Sequence, residues 1–288
     1  MMKNITSHPD ISTKTIRNFS IPSIGLGTYQ MQGSTCQEAV RDAILMGYRH
    51  IDTAQMYDNE IAVGTGIAAS GIPREALFVT NKIWLDNLEP EKLKSTFQQS
   101  LEKLQMNYID LLLIHWPPAN EETITNALKT MRELRSKEYI RKIGVSNFTP
   151  RLLVKALAID EIIANQVEYH PMLAQNDLID ICETYNVFLI AYAPLGQGQI
   201  LGTELLQQIG KKYGKSESQV ILRWLIQQRL VATIPKASNH EHRKSNIDIF
   251  DFELSESEMH EIAALDRGAR QVNPQFAPRW DEKFELKH

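Results

Sequence analysis

A chain of 288 residues with 43% hydrophobic side chains carries enough apolar material for a substantial core, which excludes disorder as the default state. Its 35 acidic and 31 basic residues leave a net charge of -4, and no basic run or aromatic–basic interleaving marks a nucleic-acid footprint. No apolar stretch approaches a membrane span, and the polar start MMKNITSHPDIST lacks the apolar centre of a signal peptide, so a cytoplasmic location is expected.

Short apolar or β-branched runs alternate with longer segments of helical period along the chain. The stretch TIRNFSIPSIG has turn residues between two β-like pieces and reads as a hairpin that could close the bottom of a barrel. The first strand-like run is IGLGT (24–28), the second YRHIDTA (48–54) and the third LFVTNKI (77–83). In the fourth, YIDLLLIHW (108–116), Leu111 to Ile114 read as a strand covered on both faces. Pro117 and Pro118 cannot donate to a ladder, so the strand ends there and leaves His115 and Trp116 at its tip. IRKIGVSN (140–147), IANQVEYH (163–170), VFLIAYAPL (187–195) and VATIPKA (231–237) complete eight.

Between them, Leu93, Phe97, Leu101 and Leu104 mark one helix face, and Ile124, Leu128, Met131 and Leu134 with Arg135 mark the next. Ser255 to Glu258, followed by Met259, Ile262 and Leu265, reads as a capped C-terminal helix. Cys36 and Cys182 lie far apart in helical patterns, as two buried free thiols of a reducing compartment would. His240-Glu241-His242 lacks zinc-site spacing, and no metal site is expected. Eight strand–helix units without a linker between halves predict one domain over residues 1–288, a (β/α)8 TIM barrel of parallel strands. The tail GARQVNPQFAPRWDEKFELKH reads as a loop lying over the barrel surface near its mouth. Gly25-Leu-Gly27 and Gly196-Gln-Gly198 both lack the third glycine of a dinucleotide fingerprint, which argues against a Rossmann domain.

The C-terminal ends of the strands in such a barrel open onto one mouth. There this sequence places Asp52, Lys82, His115 with Trp116, Ser146-Asn147, Glu168 to His170, Tyr192 to Leu195, and Lys236. Asp52 and Lys82 would each be costly to bury alone and can stabilise each other as a pair. Tyr57 follows Asp52 by five residues; a tyrosine is a poor acid near neutral pH unless a cation such as Lys82 eases proton release. Singly, these residues also read as a rim salt bridge, a loop hydrophobe and a strand-end cap; their convergence makes a site.

GLGTY (25–29), IDTAQMYDNE (51–60), TNKIW (80–84), LLLIHWP (111–117), IGVSNF (143–148), NQVEYHP (165–171), AYAPLG (191–196) and IPKAS (234–238) resemble aldo-keto reductase motifs, in order and over essentially the whole chain. DTAQMYDNE and the ending Pro278-Arg279-Trp280-Asp281 are most similar to the bacterial 2,5-diketogluconate reductases of the B type. The resemblance implies NADPH-dependent reduction of aldehydes and ketones by a monomer. Tyr57 would be the general acid, Lys82 and Asp52 its polarising pair, and His115 the group orienting the carbonyl. Ser146, Asn147 and Gln166 would hold the nicotinamide carboxamide, and Tyr192 would stack on its ring. Ala193, Leu195 and Gln197 would strap the pyrophosphate, and Thr28 and Asp52 complete that set. Lys236, Glu241 and Asn246 would face the adenosine end. There the family's usual serine and arginine are replaced by Ala237 and His242, with Ser238, Asn239 and Arg243 close enough to substitute. Lys236 favours NADPH over NADH, because a cation facing the 2′-phosphate gains a charge-assisted bond. Tyr29, Trp84 and Trp116 would wall the substrate pocket, which would admit diketogluconate-type sugar acids, methylglyoxal or other small carbonyls. Two rival readings stand beside this one: a redox-sensing binding protein that holds the nucleotide with little turnover, and a phosphate-handling barrel isomerase or aldolase.

Overall fold

A computed structural model describes residues 12–282 and residue 284. Residues 1–11, 283 and 285–288, which include most of the polar start and the end of the tail, lie outside the described residues. Two short antiparallel strands come first, β1 (Thr13–Ile16) and β2 (Phe19–Pro22), joined by Arg17 and Asn18. Both turn residues have positive φ, 46° and 61°, the geometry whose twist suits a two-residue hairpin.

Eight parallel strands follow: β3 (Leu26–Gly27), β4 (His50–Asp52), β5 (Phe78–Ile83), β6 (Ile109–Ile114), β7 (Ile140–Ser146), β8 (Ile162–Glu168), β9 (Phe188–Tyr192) and β10 (Val231–Thr233). Helices α1 (Gly33–Met46), α2 (Glu60–Ala69), α3 (Pro90–Leu104), α4 (Glu121–Ser136), α5 (Pro150–Ile159) and α6 (Asn176–Tyr185) connect them in turn. Two helices, α7 (Glu204–Tyr213) and α8 (Glu217–Gln227), precede β10, and α9 (His240–Ile247) and α10 (Glu256–Ala263) follow it. Strands pair in chain order, and parallel bridges from Ile24 to Thr233 and from Gly27 to Lys236 join the first to the eighth, closing a (β/α)8 barrel. Gly27 is required at that seam, where a Cβ would lie 2.6 Å from the carbonyl oxygen of Ile234. The eighth strand is shorter than the sequence suggests, because Pro235 has no N–H to continue the ladder.

Side-chain alternation sorts the strands into two cores. In β6, Leu111 and Leu113 join the barrel interior while Leu112 and Ile114 pack outward under the helices. The interior cluster also takes Phe78, Phe188 and Leu230 together with Ile16 and Ile21 of the hairpin, so the hairpin plugs the lower end as expected. Burying each such aliphatic side chain stabilises the fold by about 2 kcal/mol. The same alternation then fills the upper interior with polar groups: His50 and Asp52 from β4, Thr80 and Lys82 from β5, and His115 just beyond β6, all buried. Cys36 and Cys182 are free and buried in α1 and α6.

Candidate active site

At the strand C-termini the barrel opens into a cavity of about 790 Å³, lined near its centre by Asp52, Tyr57 and His115. Lys82 lies beneath them, fully buried, with all three ammonium protons committed. It donates to Asp52 Oδ1, to the carbonyl oxygen of Thr53 at 3.0 Å and to Tyr57 Oη at 3.1 Å. The second Asp52 oxygen accepts from Gln166 Nε2 at 2.7 Å. The pair is thus buried but saturated, the condition under which a buried ion pair is tolerated.

Tyr57 stands on a one-turn helix, Gln55–Tyr57, that leaves β4 and ends on Asp58 at a φ of 52°. Side chains clamp this turn from several elements. Gln55 Oε1 accepts from the Trp84 N–H at 3.1 Å and from Asn87 Nδ2 at 3.0 Å, while Gln32 Nε2 donates to the Tyr57 carbonyl at 2.7 Å. Asn59 accepts from Thr53 Oγ1 at 2.8 Å and donates to the carbonyls of Thr28 and Met31.

Burial raises the Tyr57 hydroxyl well above its ordinary pKa of 10, helped by the Asp52 charge. Tyr57 therefore keeps its proton at neutral pH. Burial, with Lys82 adding to it, holds the His115 imidazole well below its usual value, so the ring is neutral at neutral pH. Its Nδ1 is sealed without a partner among the described residues, and its edge meets the rings of Tyr57 and Trp84 at 5.6 and 5.3 Å.

Beside this centre, Ser146, Asn147, Gln166 and Tyr192 form one bonded group on the cavity wall. Ser146 Oγ donates to the Gln166 carbonyl at 2.9 Å, Asn147 Nδ2 to the His115 carbonyl at 3.0 Å, and Tyr192 Oη to Asn147 Oδ1 at 2.8 Å. Asn147 achieves this at a φ of 62°. Ala193, Leu195 and Gln197 carry the lining toward exposed Lys236. Ala193, Gly196, Gln197 and Gly198 all have positive φ, and the tight turns they make close on themselves, the Gly196 and Gly198 N–H groups donating to the carbonyls of Ala193 and Leu195 at 2.9 and 2.8 Å. A cavity of this size with a tyrosine ring, an amide cluster and an ammonium along its wall has the room and the donors to hold an extended nicotinamide dinucleotide.

Other expected residues lie off the cavity surface. Thr28 is buried beneath it, its hydroxyl donating to the Asp52 carbonyl at 2.9 Å. Ala237 is buried and Asn246 is buried in α9, whereas Ser238, Glu241 and His242 are exposed beyond Lys236. Asn239 caps α9 by accepting from the N–H groups of Glu241 and His242. Arg243 is bonded within the fold: its Nε donates to Asp42 at 3.0 Å, and its Nη1 donates to the carbonyls of Ala237 and Ser238. Tyr29 and Trp116 line the cavity, and Trp84 backs His115. Sequence reasoning missed Met56 and Gln30, and above all Gln271 to Pro274 and Phe276 of the tail. The signal for the last was the aromatic content of a proline-bearing tail expected near the mouth. Among the described residues no cluster of three His, Cys, Asp or Glu could hold a metal, and no helix is long and apolar enough to cross a membrane.

Residues 23–267 match the model of the Aldo/keto reductase family. The glyoxal reductase of Bacillus subtilis (strain 168) is 43% identical over 262 residues, covering 90% of this chain and 94% of that protein. Methylglyoxal reductase DkgB of Escherichia coli O157:H7 is 38% identical over 267 residues, 91% of this chain and 100% of its own. A crystal structure described as a candidate 2,5-diketo-D-gluconic acid reductase B superimposes with a TM-score of 0.91 at 36% identity, covering 94% of this chain and 98% of that one.

Proposed function

The chain belongs to the aldo/keto reductase family, and we propose that it is a monomeric, cytoplasmic NADPH-dependent reductase of small aldehydes and ketones with Tyr57 as general acid. Glyoxal, methylglyoxal and diketogluconate-type sugar acids are the carbonyls the relatives suggest. When bound, the cofactor supplies the hydride; the rest of the chemistry is positioning and proton handling.

One observation carries the reading. An ammonium has three protons and no acceptor, so in the bond from Lys82 Nζ to Tyr57 Oη the phenol must accept. Its own proton is thereby left for a carbonyl oxygen in the cavity. The Lys82 charge, transmitted through that bond, stabilises the oxygen anion that develops as the carbonyl carbon is reduced. His115 is neutral with a sealed Nδ1, so its single proton belongs on Nε2, as a second donor to the same oxygen. Gln166 links Asp52 to the Ser146–Asn147–Tyr192 group, which supports a nicotinamide held against Tyr192 beside the proton donors. Ala193 to Gln197 would receive the pyrophosphate and Lys236 the 2′-phosphate, which favours NADPH over NADH.

The test is a panel of glyoxal, methylglyoxal and diketogluconate at fixed NADPH, followed by nicotinamide absorbance and repeated with NADH. Sustained NADPH oxidation with a lower kcat/KM for NADH is expected. Tight NADPH binding without multiple turnover on any carbonyl would replace this reading with a nucleotide-sensing one.

A further inference from the structure

The buried carboxylate of Glu168 takes no part in the proton-handling group, yet it is built into the mouth. It ends β8, pairs in register with Tyr192 and is fully buried. Oε1 accepts from the backbone N–H of Gln271 at 2.7 Å and from His170 Nε2 at 3.0 Å, and Oε2 accepts from the N–H of Val272 at 2.8 Å. Burial works against its ionised form, but His170 and the two amides outweigh it and hold the carboxyl below the usual range. Charge-assisted bonds of this kind are among the stronger hydrogen bonds in proteins.

Those bonds have a consequence for the cavity. Gln271 to Pro274 and Phe276 line it without belonging to any helix or strand. Among the described residues, the two amide bonds to Glu168 are the only hydrogen bonds from 271–276 to the barrel; the nearest tie upstream is the Ala269 N–H to the Met172 carbonyl at 2.9 Å. Beyond the anchor, Phe276 stands edge-on between Trp84 and Trp116, with centroids at 5.6 and 5.4 Å and interplanar angles of 87°. Trp116 in turn meets Trp280, which is covered by Arg270 at 3.7 Å and donates from Nε1 to Asn273 Oδ1 at 2.9 Å. The stretch that carries Phe276 is thus bonded to the barrel through one buried carboxylate, with the next tie downstream at Glu282, which accepts from Arg151 Nε at 2.7 Å.

We propose that Glu168, backed by His170, is the positioning residue that seats residues 271–276 across the mouth and so sets which carbonyl substituents the Trp84–Phe276–Trp116 wall accepts. The specificity part rests on the carbonyl-reducing reading above; the seating part does not. Glu168→Gln keeps the shape but offers one oxygen and an NH2 group where two N–H donors arrive.

Amide hydrogen exchange on the full chain, without substrate or cofactor, tests the seating. Exchange at Gln271 and Val272 is expected to accelerate in Glu168→Gln while β8 and β9 amides stay protected; unchanged exchange at 271 and 272 overturns the proposal. Gln271→Pro, which removes one donor and leaves the barrel untouched, is the second variant should Glu168→Gln fold poorly, and it should free Val272 in the same way. Kinetics test the rest. In Glu168→Gln the KM of an aromatic aldehyde such as 4-nitrobenzaldehyde should rise about tenfold with kcat nearly constant, while methylglyoxal changes less than about threefold, the scale of one lost apolar contact. Phe276→Ala should do the same, and the double variant should be no worse than Phe276→Ala alone; full additivity would overturn the link between Glu168 and the wall. If no carbonyl is reduced at all, the exchange measurement still decides the seating.

Discussion

The four residues at the floor of the mouth divide their labour by hydrogen-bond capacity. Lys82 has spent every proton, Asp52 holds it in place, and Tyr57 accepts one bond and keeps one proton to give. Replacing Lys82 by Met would remove the charge and leave Asp52 buried without its cation. We expect kcat/KM to fall by roughly 10²-fold or more, the scale of losing one preorganised electrostatic group, in steady-state assays of carbonyl reduction. Because His115 sits well below and Tyr57 well above their ordinary pKa values, neither changes charge near neutrality. The profile of log(kcat/KM) should therefore be level between about pH 6 and 9, with no break near the free-histidine value. A break there that His115→Asn abolishes would mean that the ring titrates and donates as an imidazolium. At this scale the sequence was most legible, since Asp52, Lys82 and His115 sit at or just past strand tips whose inward face follows from alternation, with Tyr57 on the turn after β4. What it could not reveal was the state of Tyr57, because the balance between burial and Lys82 depends on how completely the site is closed.

The element that makes this site exact is the short turn after β4. Gln55, a residue with no chemical signal in the sequence, binds Trp84, Asn87 and Ser100 at once and fixes the base of Tyr57. Gln55→Ala should lower kcat by about tenfold with little change in NADPH affinity, since misplacing a donor by even ~1 Å is costly to rate. A parallel fall in cofactor affinity would show that the turn supports the whole mouth instead. The strands themselves were readable as apolar runs, but their ends were drawn too far. β10 stops at Thr233 and the chain then continues through Pro235, while closure is carried by the bridges at Ile24 and Gly27. The tail was legible only as a loop near the mouth, because the partner of its Gln271 and Val272 amides is a buried carboxylate on a distant strand.

For the whole molecule, the polar layer inside the barrel ties stability to pH. His50 is fully buried against Thr80, and burial, with the Lys82 charge, lowers its pKa from 6.5 to about 3. The folded chain keeps this ring neutral, whereas the unfolded chain takes up a proton below about 6.5. Stability is therefore full above that value and declines as pH falls toward 3, by about 1.4 kcal/mol per pH unit for each such histidine. His115 acts in the same direction. Denaturant unfolding between pH 7 and about 4.5 should show a steep loss, less steep by about one proton in His50→Gln. An unchanged slope would mean that His50 is protonated in the fold. The eightfold alternation was visible from end to end, but not the pairing beyond Lys236, where Asp42 on α1 binds Arg243 of α9 across a separation of 201 residues.

Proton transfer by Tyr57 is the claim on which the rest depends, and Tyr57→Phe isolates it by removing one oxygen. NADPH affinity should stay within a few-fold of the parent, measured by fluorescence titration, while kcat for methylglyoxal falls by roughly 10²- to 10⁴-fold. Near-normal turnover in the variant would contradict the account.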